Sequence, residues 1–209
     1  MLKPSKNRCA RILTWMVLVV ITITVDAALA GKFNKVLDVD ASAPDFSDLR
    51  GTDGKRHKLA DYQEHDILVL FFTDNHCPAS RLYASRLRAL LKEFAEEPVA
   101  LVALNVSDDS LESMRMHAAK HKWSFDYLSD PTQQVGRNYG AVRTPQFFVL
   151  DRKRQVAYMG ALDNHDDPDK VTKQALRDAL RALLSGKRPT TGETLQRGCK
   201  IEYSTKTSP

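Results

Sequence analysis

The 209 residues are 43% hydrophobic and 27% charged, ordinary proportions for a globular protein with one sizeable core plus appendages. The formal charge of +5 is a property of the N-terminus. Without residues 1–30 the chain loses Lys3, Lys6, Arg8, Arg11 and Asp26, leaving 27 basic and 25 acidic residues. That balance, with no recognisable motif, argues against a nucleic-acid partner.

The chain begins with those four basic residues, an apolar run from Ile12 to Val25 and then Ala28-Leu29-Ala30. This is the layout of a secretory signal peptide cleaved after Ala30. Fourteen residues fall short of the ~20 that a membrane helix needs. An exported protein, periplasmic or secreted, is expected, with membrane attachment only if residues 1–30 stay uncleaved. Cys9 leaves with that segment, so Cys77 and Cys199 are the cysteines of the mature chain. An oxidising compartment would let them pair.

Residues 31–42 read as an extended arm. Gly51-Thr52-Asp53-Gly54, between Phe46–Leu49 and Arg56–Leu59, predicts a small β-hairpin. Ile67 to Thr73 (ILVLFFT) runs without a polar break, the pattern of a strand buried on both faces. Asp74-Asn75-His76 makes a turn, and Cys77-Pro78 opens a helix with Tyr83, Leu87, Leu90, Leu91 and Phe94 on one face. Cys77 thus stands between a strand end and a helix start, where the helix dipole and free N–H groups favour a thiolate. The alternative is an inert buried cysteine.

Val99 to Val106 predicts a second buried strand, and Ser110 opens a helix with Leu111, Met114 and Ala118 inward. Trp123 to Leu128 reads as a brief strand. Asp130-Pro131-Thr132-Gln133 starts a helix that Gly140 stops. Phe147 to Leu150 and Gln155 to Met159 form an antiparallel hairpin, and Asp167-Pro168 caps a last helix through Leu183, ended by Gly186. From 187 to 209 the chain reads as a polar tail holding Gly198-Cys199.

The strand, Cys77-Pro78 at a helix start, and Arg143-Thr144-Pro145 before a later strand resemble the thioredoxin superfamily. The similarity is to its redoxin branch, the alkyl hydroperoxide reductase/thiol-specific antioxidant (AhpC/TSA) family. It spans residues 43–186, read as one redoxin domain. It implies an α/β, thioredoxin-like fold with a central mixed sheet flanked by helices and an N-terminal β-hairpin. It also implies thiol redox chemistry without a cofactor, and a cis Thr144-Pro145 bond facing the active thiol. Two departures stand out. Ser80 occupies the second cysteine place of a C-x-x-C motif, and Asp74 stands where a peroxiredoxin has Thr.

The candidate site is therefore Cys77 as nucleophile, with Arg143, Thr144 and Pro145 from the facing loop and Pro78 and Ser80 in support. Arg143 could stabilise a thiolate or polarise a peroxide; it could also be an ordinary loop arginine. The Ser80 hydroxyl could donate to the thiolate or simply occupy a first helical turn. His76 could lower the thiol pKa or face solvent. Cys199 could resolve oxidised Cys77, bridge it structurally, or stay free. The acidic run Asp163 to Asp169 reads as a solvated loop and cap, and no metal site is assigned. Two functions follow. One is an exported thiol oxidoreductase or peroxidase acting on a protein or small-molecule disulfide or a peroxide, with an external thiol reductant. The other is a non-catalytic binding or scaffold protein with Cys77 in a structural disulfide.

Overall fold

A computed structural model describes residues 31–205; the expected signal segment, residues 1–30, and the last four residues lie outside the described residues. At the centre runs β3 (Ile67–Thr73), every residue of which is buried. Successive strand side chains point to opposite faces. Leu68, Leu70 and Phe72 accordingly enter one hydrophobic layer, and Ile67, Val69 and Phe71 the other. A strand apolar at every position can be buried only with a layer on each side, which is what its unbroken run predicts.

β3 pairs in parallel with β4 (Val99–Asn105), which pairs in parallel with β5 (Asp126–Ser129). On its other side β3 meets β7 (Gln146–Leu150) antiparallel, and β7 turns back into β8 (Val156–Gly160). The hairpin of β1 (Leu49–Gly51) and β2 (Arg56–His57) adds to β5. The result is a seven-stranded mixed sheet in the order β2-β1-β5-β4-β3-β7-β8. One face carries α1 (Pro78–Glu93) through Tyr83, Leu87 and Leu90, α2 (Leu111–His121) through Met114, and α4 (Ala175–Leu184) through Leu176 and Leu180. Phe71 and Phe147 stack between them with centroids 4.9 Å apart. The other face is closed by α3 (Gln134–Asn138), the 3-10 turn Leu59–Tyr62 and both ends of the described chain.

Three segments differ from their sequence reading. Residues 31–42 are not a free arm: Asn34 and Leu37 are buried, and Asn34 Nδ2 donates to the Tyr139 carbonyl (2.8 Å). Asp167 caps not the last helix but a separate 3-10 turn, Pro168–Lys170, by accepting from Asp169 N–H (3.1 Å); α4 starts only at Ala175. The segment after Gly186, read as a polar tail, is laid across the body. Its residues 192–194 add to the β8 edge through Met159 N–H to the Gly192 carbonyl (2.9 Å) and Thr194 N–H to the Met159 carbonyl (3.0 Å). Ile201 then enters the core beside Val135 and Tyr139, and the Tyr203 hydroxyl donates to the Ala141 carbonyl (2.6 Å).

On α2, His117 lies edge-on to Trp123, with ring centroids 5.1 Å apart. Burial, and then the neighbouring His121, depress its pKa from the ordinary 6.5 to about 4. The folded state therefore refuses a proton that the unfolded chain accepts. Stability is complete above pH 6.5 and falls as pH drops toward about 4. The thermal midpoint should decline across that window, and His117→Asn should flatten the decline; unchanged slopes in the two proteins would contradict it.

Candidate functional site

β3 ends at Thr73, and the chain must leave the sheet before α1 can begin. Asp74 organises the exit. Its Oδ1 accepts from His76 N–H (2.8 Å) and Cys77 N–H (2.6 Å), and its Oδ2 accepts from the Thr144 hydroxyl (2.6 Å). One carboxylate thus holds the Cys77 turn and the facing Thr144 loop together. Cys77 is the N-cap of α1, with Pro78 at the first helical position, where no backbone N–H is required. The Thr144-Pro145 bond is cis, as the resemblance implies.

Cys77 and Cys199 form a disulfide, with Cα atoms 5.9 Å apart and a sequence separation of 122. Cys77 is buried and Cys199 half-buried. The pairing is built by backbone: β9 (Cys199–Lys200) adds antiparallel to β6 (Arg143–Thr144), with Cys199 opposite Thr144. Ile201 N–H donates to the Val142 carbonyl (3.0 Å) and continues the ladder. Gly198 makes the approach possible. Its φ is +110°, and a Cβ there would overlap the Thr144 carbonyl oxygen. The Cys77 sulfur rests 2.9 Å from the same oxygen. A disulfide sulfur carries no proton, so this is a contact here; reduction would place an S–H donor against that carbonyl.

The other expected site residues fall into two groups. Thr144 and Pro145 face Cys77. Arg143 does not reach a sulfur: among the described residues its guanidinium donates to the Gly198 carbonyl (2.7 Å), so it holds the turn that presents Cys199. Ser80 is buried, and its oxygen accepts the Thr73 hydroxyl (3.1 Å), which ties the first turn of α1 to the end of β3. His76 is exposed, its Nε2 3.0 Å from Asp109 Oδ1. The acidic run after Leu162 serves structure, since Arg86 binds Asp163 (2.6 Å) and the His165 carbonyl (2.8 Å), and the Tyr83 hydroxyl donates to Asp166 (2.7 Å).

Sequence reasoning missed the polar bracket behind the turn. Asn75 N–H donates to Asp109 (3.2 Å), its Nδ2 donates to Ser113 (3.1 Å), and its Oδ1 accepts from the Tyr127 hydroxyl (2.9 Å). Burial alone would raise the Asp109 pKa, but bonds from Ser107, Asn105 and Asn75 and the charge of His76 outweigh it and hold the carboxyl below its usual value. These residues lie on three elements, and no local spacing announces them. Gln146 was also missed; its Oε1 accepts from Val142 N–H (2.9 Å) and Arg143 N–H (3.3 Å) and so shapes the loop before the cis bond.

Comparison with known proteins bears on this geometry. The family model described as AhpC/TSA family matches residues 39–159. Peroxiredoxin Bcp of Escherichia coli K12 is 33% identical over 98 residues, which cover 47% of this chain and 61% of that protein. A hypothetical protein from Sinorhizobium meliloti 1021 has a solved structure that is similar at TM-score 0.75 and 30% identity, covering 83% of this chain and 98% of that one. A putative thiol:disulfide interchange protein DsbE from Chlorobium tepidum is similar at TM-score 0.56 and 25% identity, covering 72% of this chain and 97% of that one. The fold is thioredoxin-like, α/β, with the mixed sheet and the N-terminal hairpin that the sequence suggested.

Gly198→Ala tests how the site is closed. A non-glycine residue at positive φ costs on the order of 1–2 kcal/mol, before any overlap with Thr144. Disulfide formation from the reduced protein should slow by ~10-fold or more, and the reduced form should also melt lower than the parent, because β9 docks before the bond closes. Thiol titration during oxidation by glutathione disulfide measures it; an unchanged rate would show that β9 closes without this glycine.

Proposed function

The chain belongs to the AhpC/TSA family, and on that premise we propose that it is an exported thiol oxidoreductase or peroxidase in which Cys77 attacks and Cys199 resolves. The observation that carries this reading is the Cys77–Cys199 disulfide, set at the N-terminus of α1 and against the cis Thr144-Pro145 loop. A reactive thiol needs a helix start or another source of positive potential, and a partner thiol within reach. Both are present.

In the peroxide form of the reaction, the Cys77 thiolate attacks one peroxide oxygen. The O–O bond breaks, the alkoxide or hydroxide leaves and takes a proton, and Cys77 becomes a sulfenic acid. The Cys199 thiolate then attacks the Cys77 sulfur, forming the disulfide and expelling hydroxide, which takes up a proton from solvent to leave as water. In the exchange form, the Cys77 thiolate attacks a substrate disulfide and releases one substrate sulfur as a thiol, and the Cys199 thiolate then displaces the other from the mixed disulfide. Either cycle ends in the same Cys77–Cys199 bond and needs an external dithiol to restore two thiols. Arg143 serves the second step by fixing the Gly198 turn, and Asp74 and Thr144 fix the first sulfur. The basic–apolar–Ala28-Leu29-Ala30 pattern supports export.

A second reading has its own support. Cys199 is anchored by regular pairing with Thr144 and by Ile201 in the core, and Cys77 by its N–H on Asp74 at the start of α1, the build of a structural disulfide without turnover. Cys77→Ser should abolish single-turnover reaction with hydrogen peroxide and with a small disulfide. Cys199→Ser should retain the first step and trap one equivalent of sulfenic acid or mixed disulfide at Cys77, visible by mass spectrometry. If wild type, once reduced, reacts with neither oxidant faster than free cysteine does, the structural reading takes over. Export is checked separately. N-terminal sequencing of the protein from its native host should begin at Gly31, and an intact Met1 would reject cleavage.

A further inference from the structure

Gly31 is buried, although it stands at the edge of the described chain. Its N–H donates to the Leu37 carbonyl (3.0 Å), closing a turn around Asn34, whose Oδ1 accepts from Val36 N–H (2.8 Å) and Leu37 N–H (3.0 Å). The turn is pinned to the body by the Asn34 amide on the Tyr139 carbonyl. Glu193, from the segment that carries Cys199, reaches into it. Its Oε1 accepts from Phe33 N–H (2.9 Å) and Asn34 N–H. Its other oxygen, Oε2, has no such bond among the described residues and lies against Gly31: a Cβ on that residue would stand 2.8 Å from Oε2 and 2.9 Å from the Met159 methyl. The position is reserved for glycine by close approach to a carboxylate and not by backbone twist.

We infer that Glu193 is the receptor for the α-ammonium group released at Gly31 when residues 1–30 are removed. The inference rests on the cleavage proposed above. In the precursor, Gly31 N is an amide with one hydrogen, already given to Leu37. After cleavage the same nitrogen carries three hydrogens and a positive charge, so it can keep the Leu37 bond and donate to Oε2 as well. Charge-assisted bonds of this kind are about twice as strong as neutral ones. Glu193 lies six positions before Cys199 and one residue from the Thr194 N–H that pairs with β8. The new N-terminus therefore clamps the segment that delivers the resolving cysteine, and processing tightens the oxidised fold.

The test uses the chain from Gly31 to Pro209, which holds all of the described structure, with two starts: a free Gly31 amine, and the same chain retaining Leu29-Ala30. Each is made with Glu193 and with Glu193→Gln. Glutamine keeps an oxygen for the Phe33 and Asn34 N–H groups but removes the charge. The free-Gly31 protein should melt ~2–4 °C above the extended one, and its Cys77–Cys199 bond should be reduced more slowly by dithiothreitol. Glu193→Gln should erase both differences. Equal melting of the two starts with Glu193 present overturns the inference, as does a difference that survives Glu193→Gln. Because both starts are set by construction, neither outcome depends on where the native host cuts. Peroxide and disulfide turnover, measured separately on the same proteins, reports on the redox reading.

Discussion

β3 has no polar residue before Thr73 and no face open to water, and this one constraint orders the rest of the molecule. A strand buried on both sides needs neighbours on both edges and a layer above and below. The edges are filled by β4 and β7; the layers are α1, α2 and α4 on one side and α3 with the two chain ends on the other. Burial of side chains as large as Phe71 and Phe72 supplies roughly 1.5–3 kcal/mol apiece. That is enough to make a strand slip by one residue costly, since every side chain would change layers. The exit of β3 is thereby fixed in space, and with it Cys77. The position of Cys77 is a consequence of the core.

The second cysteine is placed differently. Cys199 arrives on a two-residue strand whose register is set by Thr144, by Arg143 on the Gly198 carbonyl, and by Ile201 behind it. These contacts are modest singly, about 1 kcal/mol for a typical hydrogen bond. They act on a chain already led past β8 by residues 192–194. A disulfide that closes 122 residues adds up to ~4–5 kcal/mol in the chain-entropy account, and that gain requires the two sulfurs to be aligned beforehand. Alignment and covalent closure are thus shared between side chains on β6 and a terminal segment with its own anchors.

This division explains what could be read from the sequence. The fold was legible because its signals are local: ILVLFFT for a doubly buried strand, Gly51-Thr52-Asp53-Gly54 for the hairpin, Cys77-Pro78 for a helix start. The cysteine pairing was legible as one of three options, by elimination of Cys9. The docking of the C-terminal segment was not, because Ile201 and Tyr203 are two apolar residues in a polar stretch, and their alternate spacing is too short to mark a strand. The start of α4 was misplaced because Asp167-Pro168 is a good cap for any helical turn; it caps a 3-10 turn, and Val171 to Gln174 intervene. Arg143 was read either as a partner of the sulfur or as an ordinary loop arginine; its guanidinium binds the Gly198 carbonyl beside Cys199, a contact that no local spacing announces. The Asn75–Asp109–Tyr127 bracket joins residues from a turn, a loop and a strand, a union that only the folded sheet creates.

Asp74 sets the chemical character of the site. A helix N-terminus favours a thiolate by ~0.3–1 kcal/mol, more when partly buried, whereas a nearby carboxylate opposes ionisation of the thiol. Here the carboxylate is engaged by two backbone N–H groups and the Thr144 hydroxyl, and donors that bind it spread its charge and weaken that opposition. The same bonds also take up the Cys77 N–H, which would otherwise face the sulfur's end of the helix. What remains distinctive is geometric: the sulfur is held between a cis loop and a strand that presents the second sulfur opposite Thr144. Intramolecular placement of this kind can supply more than a shifted pKa can. In the cycle proposed above it would act in the second step, where Cys199 meets Cys77.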